Sequence, residues 1–170
     1  AAEERAISPT VLPSPQEVLA SFRPLAEERA LLASTVATLT RVFLGFGLAV
    51  AVGVPAGLLA GSFRALESFL APLTIFARNI PVAALIPLTL FWFGIGESQK
   101  VMFIFVATVP FIFADAASSI VAIPERYVET AQTLGASRVQ IVLRILVPLA
   151  LPDIFTSLRA LFGIAFGYIM

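Results

Sequence analysis

Glu125, Glu129, Gln132 and Thr133 recur at intervals of three or four residues, so a helix over this stretch carries them on one face and Val128, Ala131 and Leu134 on the other. Carboxylates aligned in this way can form charge-assisted hydrogen bonds to a basic partner. They have no proton shuttle beside them, because the 170 residues include no histidine, and no cysteine is present as nucleophile or thiolate ligand. No serine, aspartate or glutamate has the partner set that a hydrolase needs. The stretch "GIGESQK" lacks the GxxxxGK[ST] arrangement that cradles a phosphate, so the chain is not expected to bind or hydrolyse ATP by itself. These residues predict no cofactor, no metal and no catalysis, and leave two readings open: a pair of amphipathic helices lying on the lipid surface, or a handle for a partner.

A second group of charges sits inside apolar runs. Asp115 and Arg159 would each cost about 2.5–3.5 kcal/mol at the centre of a lipid-embedded helix, so both should face protein or water. Counted from the nearer ends of their runs they lie about 12 Å and about 17 Å deep, at 1.5 Å per residue. Similar depths predict an Asp115–Arg159 contact, with lining of a solute path as the alternative. Asp153, next to Pro152, reads as a helix cap. Arg78 reads as a side chain reaching for lipid headgroups; contact with a solute is its alternative.

The elements that must position these groups are membrane-embedded. Hydrophobic residues make up 59% of the chain and charged residues 13%, against about 45–50% and about 25% in soluble domains. Net charge is zero, which gives no basic surface for nucleic acid. Residues 42–61 carry no charge across twenty positions, enough to cross a hydrocarbon core of about 30 Å. Within them Gly45, Ala49, Gly53, Gly57 and Gly61 repeat every four residues and form a small-residue stripe for close helix packing. Pro55 should bend this span.

Residues 69–96 read as a short interfacial helix followed by a span from about Ile80, with Trp92 in an aromatic belt. Residues 101–123 and 148–170 supply a third and fourth span. The fold class is therefore all-α, a polytopic transmembrane bundle of about four spans. Residues 1–40 lie outside the bilayer, with a helix opened by Ser14, Pro15 and Glu17 and interrupted at Pro24. The opening "AAEERAISPT" has no signal-peptide pattern, and the chain stops within the apolar run "GIAFGYIM", so a fragment of a longer protein is expected.

Residues 124–147 form the long polar segment between spans. Gly135 ends the first amphipathic helix in a left-handed conformation. Ser137, Gln140 and Arg144 then give a second polar stripe against Val139, Ile141, Val142 and Ile145, and Pro148 closes this second short helix at the next span. Arg126, Arg138 and Arg144 place the segment on the cytoplasmic side by the positive-inside rule, with residues 62–79 on the same side and residues 1–40 opposite.

The order Glu129, Thr130, Ala131, three residues, Gly135, nine residues, Ile145, one residue, Val147, Pro148 resembles the EAA loop of the permease subunits of binding-protein-dependent ABC importers. Thr130 and Val147 depart from that family's alanine and leucine. "LPSPQEVL", "RVFLGFGLAVAVGVPAGLLAG", "NIPVAALIPLTLFWFGIGESQKV" and "PDIFTSLRAL" are similar to its nitrate, sulfonate, taurine and bicarbonate branch, although Ser157 stands where glycine is frequent. The resemblance implies a permease domain over residues 41–170 in a prokaryotic inner membrane, of the type I importer kind. It further implies two cytoplasmic ATPase subunits gripping Glu129, Thr130, Ala131 and Gly135. A second permease copy and an extracytoplasmic solute-binding protein complete the implied assembly. An ion-coupled transporter and a membrane scaffold are the other classes that the apolar spans allow.

Overall fold

The computed structural model describes residues 14–27 and 31–168, and every regular element among them is helical. The chain divides into two compact units, residues 1–40 and 41–170. In the first, α1 (Pro15–Glu27) starts with the proline at its first position, where a missing N–H costs nothing. Val18 N donates to Ser14 O at 3.0 Å. The Glu17 side chain lies outside the described residues. Pro24 was expected to interrupt this helix, but α1 runs through it to Glu27. One lost hydrogen bond is tolerated so close to the helix end.

α2 (Leu31–Ser62) is a 32-residue helix, longer at its start than the run 42–61. Uncharged hydroxyls let it begin early: Thr35, Thr38 and Thr40 donate to the carbonyls of Leu31, Ser34 and Val36 at 2.8–2.9 Å, so their polarity is absorbed by the helix itself. Pro55 lies within it.

In the second unit α5 (Glu97–Val121) packs against α2 and α8 (Val147–Gly167). Val42, Phe46, Ala49, Ile104, Ile112, Leu161 and Ala165 form one buried cluster. Phe162 fills the space between α2 and α8, with ring centroids 5.3 Å from Phe43 and 5.1 Å from Phe46. A second cluster joins Ala116 and Ile120 of α5 to Ala131, Ile141, Ala150 and Ile154. The outward surface is apolar, with Phe91 85% and Ile95 98% exposed. That distribution suits lipid, since water would penalise so large a patch.

The small-residue stripe of α2 faces α5. A β-carbon on Gly45, Gly53, Gly57 or Gly61 would stand 2.4–2.9 Å from α5 atoms, several of them backbone carbonyl oxygens, whereas Gly47 on another face meets nothing within 4 Å. Ala49 is fully buried in the same line. The helices approach so closely because these positions carry almost no side chain.

α3 (Arg64–Asn79) and α4 (Val82–Phe93) meet at a 96° bend. Pro81 is the cause: its ring disfavours helical geometry at the preceding residue, and Ile80 is extended at φ −68°, ψ 125°. A span from Ile80 was expected, but α4 has 12 residues, about 18 Å at 1.5 Å per residue, too short for a core of about 30 Å. Three helices are long and apolar enough to cross a membrane, or four if the bent pair counts as one. α4 is held to α5 by a buried polar contact, Gln99 Nε2 donating to Thr89 Oγ1 at 3.0 Å. Arg41 of α2 makes a two-pronged ion pair with Glu97 at the start of α5, and Lys100 joins it at 3.1 Å.

Asp153 was expected to cap a helix. It lies inside α8, which begins at Val147 and continues unbroken through Pro152.

Candidate functional site

The segment between α5 and α8 is built by two local signals. α6 (Arg126–Thr133) stops at Leu134, and Gly135 follows at φ +79°. Ala136 N donates to Ala131 O and Gly135 N to Gln132 O, both at 2.9 Å. This Schellman pairing satisfies the last carbonyls of the helix and requires the left-handed geometry that glycine adopts without strain. Ser137 then opens α7 (Arg138–Ile141) with a capping box: its backbone N–H donates to Gln140 Oε1 at 2.9 Å, and Gln140 N donates to Ser137 Oγ at 3.4 Å. The S-x-x-Q signal is present in the sequence, where Ser137 and Gln140 were read only as a polar stripe.

α7 was expected to be a separate short helix closed by Pro148. It instead continues through a π-helical stretch, Val142–Leu146, directly into α8, so Arg138–Gly167 is one helical run. Pro148 accounts for the widened turn, because it cannot donate to the Arg144 carbonyl and its ring pushes that carbonyl aside. The Val147 N–H reaches Val142 O, five residues back.

Glu129 is exposed on α6, and Thr130 beside it is exposed with its hydroxyl donating back to Arg126 O at 2.7 Å. Ala131 is buried at 5% exposure against Ile141 and Ile120, with Val128 packed on the same cluster. Val128 and Ala131 of the apolar face of α6 therefore fix the helix on its own bundle, while Leu134 of that face stays exposed. Glu129, Thr130, Thr133 and Gly135 remain accessible, and Leu134 (82%) and Val139 (66%) stand out beside them. The surface on offer is one carboxylate with two protruding aliphatic side chains across a glycine turn.

The charges inside the bundle are arranged differently from the expectation. No ion pair joins Asp115 to Arg159 among the described residues. Asp115 Oδ1 instead lies 3.7 Å from Nη2 of Arg78 at the end of α3, and the Arg78 guanidinium sits 5.1 Å from the centroid of the Phe111 ring. The α3–α4 bend lays α3 against α5 and brings the pair together, a long-range consequence of Pro81 that residue spacing does not carry. Arg159 is exposed on α8. Arg78, Thr74 and Glu67 of α3 border a cleft of about 410 Å³ closed on its other side by Phe113, Ala117 and Ser118 of α5. Charged and hydroxyl groups around a cavity between membrane-type helices can hold a polar solute.

The chain matches the family model for the binding-protein-dependent transport system inner membrane component over residues 53–170. It is 34% identical over 166 residues to the taurine transport system permease protein of Escherichia coli (strain K12), covering 95% of this chain and 60% of that protein. Over 138 residues it is 34% identical to the bicarbonate transport system permease protein of Synechococcus elongatus, covering 81% and 50%. A putative aliphatic sulfonates transport permease protein of Bacillus subtilis (strain 168) is 30% identical over 159 residues, covering 94% and 58%. The chain thus spans between half and three-fifths of the length of these relatives.

Proposed function

The chain belongs to the family of binding-protein-dependent transport system inner-membrane components, and from that premise we propose that it is the permease subunit of an ATP-driven importer for a small anion. The solute is nitrate, a sulfonate such as taurine, or bicarbonate. The taurine, bicarbonate and aliphatic-sulfonate permeases among its relatives support the solute class. Hydrolysis of ATP belongs to a separate cytoplasmic subunit pair, solute delivery to an extracytoplasmic binding protein, and a second permease copy completes the path. The setting is a prokaryotic inner membrane, with the α6–α7 segment on the cytoplasmic face.

The observation that carries the reading is the α6–α7 turn. Glu129 is exposed on a helix whose opposite face is anchored in the bundle, and the end of that helix is fixed by the Gly135 turn. Such a feature can receive force without collapsing. Glu129 supplies a charge-assisted bond to a basic group, while Leu134 and Val139 fill apolar depressions on the same partner. Closure of the ATPase pair would then shift the spans as rigid bodies and alternate access to the path.

These 170 residues contain no cysteine. A Thr133→Cys substitution, in a complete transporter whose other cysteines are replaced by serine, provides one thiol beside Glu129 for cross-linking. Cross-links to a co-purified ATPase subunit, reduced when ATP is bound, support the reading; a thiol that cross-links only to lipid or to other permease copies would sink it.

A further inference from the structure

Arg78 has five N–H donors, yet among the described residues it makes no hydrogen bond. The nearest carboxylate oxygen, on Asp115, is 3.7 Å away, beyond hydrogen-bond distance, whereas a settled arginine–carboxylate pair closes to about 2.7–2.9 Å. The Arg78 side chain is 40% exposed and that of Asp115 28%. Phe111 covers the guanidinium from one side, which steadies the group while leaving its edge donors unused. Arg78 borders the cleft of about 410 Å³, a size within the range of roughly 300–1,000 Å³ found for small-molecule sites.

We propose that Arg78 is an oxyanion-binding residue of this cleft, and that Asp115 is the internal carboxylate that holds its guanidinium while no solute is present. The inference rests on the reading of the chain as an anion permease and names the residue that recognises the solute. A planar guanidinium offers parallel donors to two oxygens of a sulfonate, nitrate or bicarbonate. Ser118, across the cleft and with no hydrogen bond from its hydroxyl among the described residues, is a further donor. Glu67 is eleven residues before Arg78 on α3, about 17 Å along the axis, so its charge repels an anion from the opposite end. Competition by Asp115 keeps the attraction weak enough for release, a condition any conducting site must meet. Arg78 also stands two residues before Ile80, where the chain bends by 96°, so any change in that bend moves the guanidinium relative to Asp115.

A phospholipid phosphate presents the same chemistry, and the test separates the two sources. The full-length permease, with its ATPase and binding protein, is placed in vesicles and uptake of labelled taurine, ethanesulfonate and nitrate is measured. Arg78→Gln is expected to lower uptake at least tenfold, Arg78→Lys to raise the half-saturating concentration, and Asp115→Asn to lower it about threefold. The exchange Arg78→Asp with Asp115→Arg should not restore uptake. Recovery by that exchange would mark the pair as purely structural, and wild-type uptake by Arg78→Gln would equally overturn the proposal. In vesicles of digalactosyldiacylglycerol, which contain no phosphate, the wild type should still transport; a fall to the Arg78→Gln level there assigns the guanidinium to lipid instead. Co-elution with the ATPase verifies folding, and where Arg78→Gln fails to co-elute, the half-saturation of Arg78→Lys decides the case. If the wild type takes up none of these three solutes and no labelled bicarbonate, the importer reading itself fails, an outcome distinct from an intact wild type with an indifferent Arg78.

Discussion

A β-carbon placed on Gly57 would stand 2.4 Å from the carbonyl oxygen of Phe113, so the backbones of α2 and α5 touch at this point. Gly57→Ala must move the two helices apart until this distance opens to an ordinary van der Waals contact. Overpacking of this kind costs about 1–3 kcal/mol, more than the gain of up to about 1 kcal/mol from replacing glycine within a helix. Thermal unfolding in detergent micelles should show a lower midpoint for Gly57→Ala and no loss for Gly47→Ala, which has open space. Equal midpoints would mean that the stripe is not a contact surface.

Gly135→Ala should destabilise the α6 end by roughly 1–2 kcal/mol, the cost of a left-handed residue with a side chain, with Gly135→Asn milder. Gly135→Pro is harsher, because it also removes the N–H bonded to Gln132 O. Hydrogen exchange over residues 126–136 is expected to accelerate least for Gly135→Asn, more for Gly135→Ala and most for Gly135→Pro. Uptake by the complete transporter should fall in parallel.

Glu129→Ala removes an exposed carboxylate with no ion-pair partner among the described residues, so membrane insertion should persist while uptake falls at least tenfold. Uptake assays in vesicles, normalised to inserted protein, check this. Normal transport by both Glu129→Ala and Gly135→Pro would count against a docking role for the turn.

Thr89→Val is nearly isosteric but strands the Gln99 amide, which is 9% exposed. A buried polar group without its partner costs about 1–3 kcal/mol. The double variant Thr89→Val with Gln99→Leu should recover part of the loss. A double-mutant cycle read by denaturation in mixed micelles measures the coupling, and strict additivity would show that the contact contributes nothing.

The helical, membrane-embedded class was legible because apolar runs such as residues 42–61 tolerate few other structures, and the family resemblance because the spacing from Glu129 to Pro148 is local. Gly135 was legible for the same reason: ending a helix in a left-handed turn depends on its immediate neighbours. The partner of Asp115 was not. Depth along separate spans favoured Arg159, but although α8 packs against α5, Arg159 stands on its exposed face, while the bend at Pro81 accompanies the packing of α3 on α5 that sets Arg78 beside Asp115. The separate second loop helix was misjudged because Pro148 was read as a stop, whereas a π-helical turn absorbs a proline without ending the helix.

That turn has a mechanical consequence. Arg138–Gly167 is a single run of 30 residues, about 45 Å long at 1.5 Å per residue, with its ladder carried across the widened turn by the Val147–Val142 bond. The Gly135–Ser137 turn lies at one end, and Phe166 packs against the core at the other. A tilt of this lever about its middle would move the two ends in opposite directions, so a stroke delivered beside Val139 arrives at the far side of the bundle with its sign reversed.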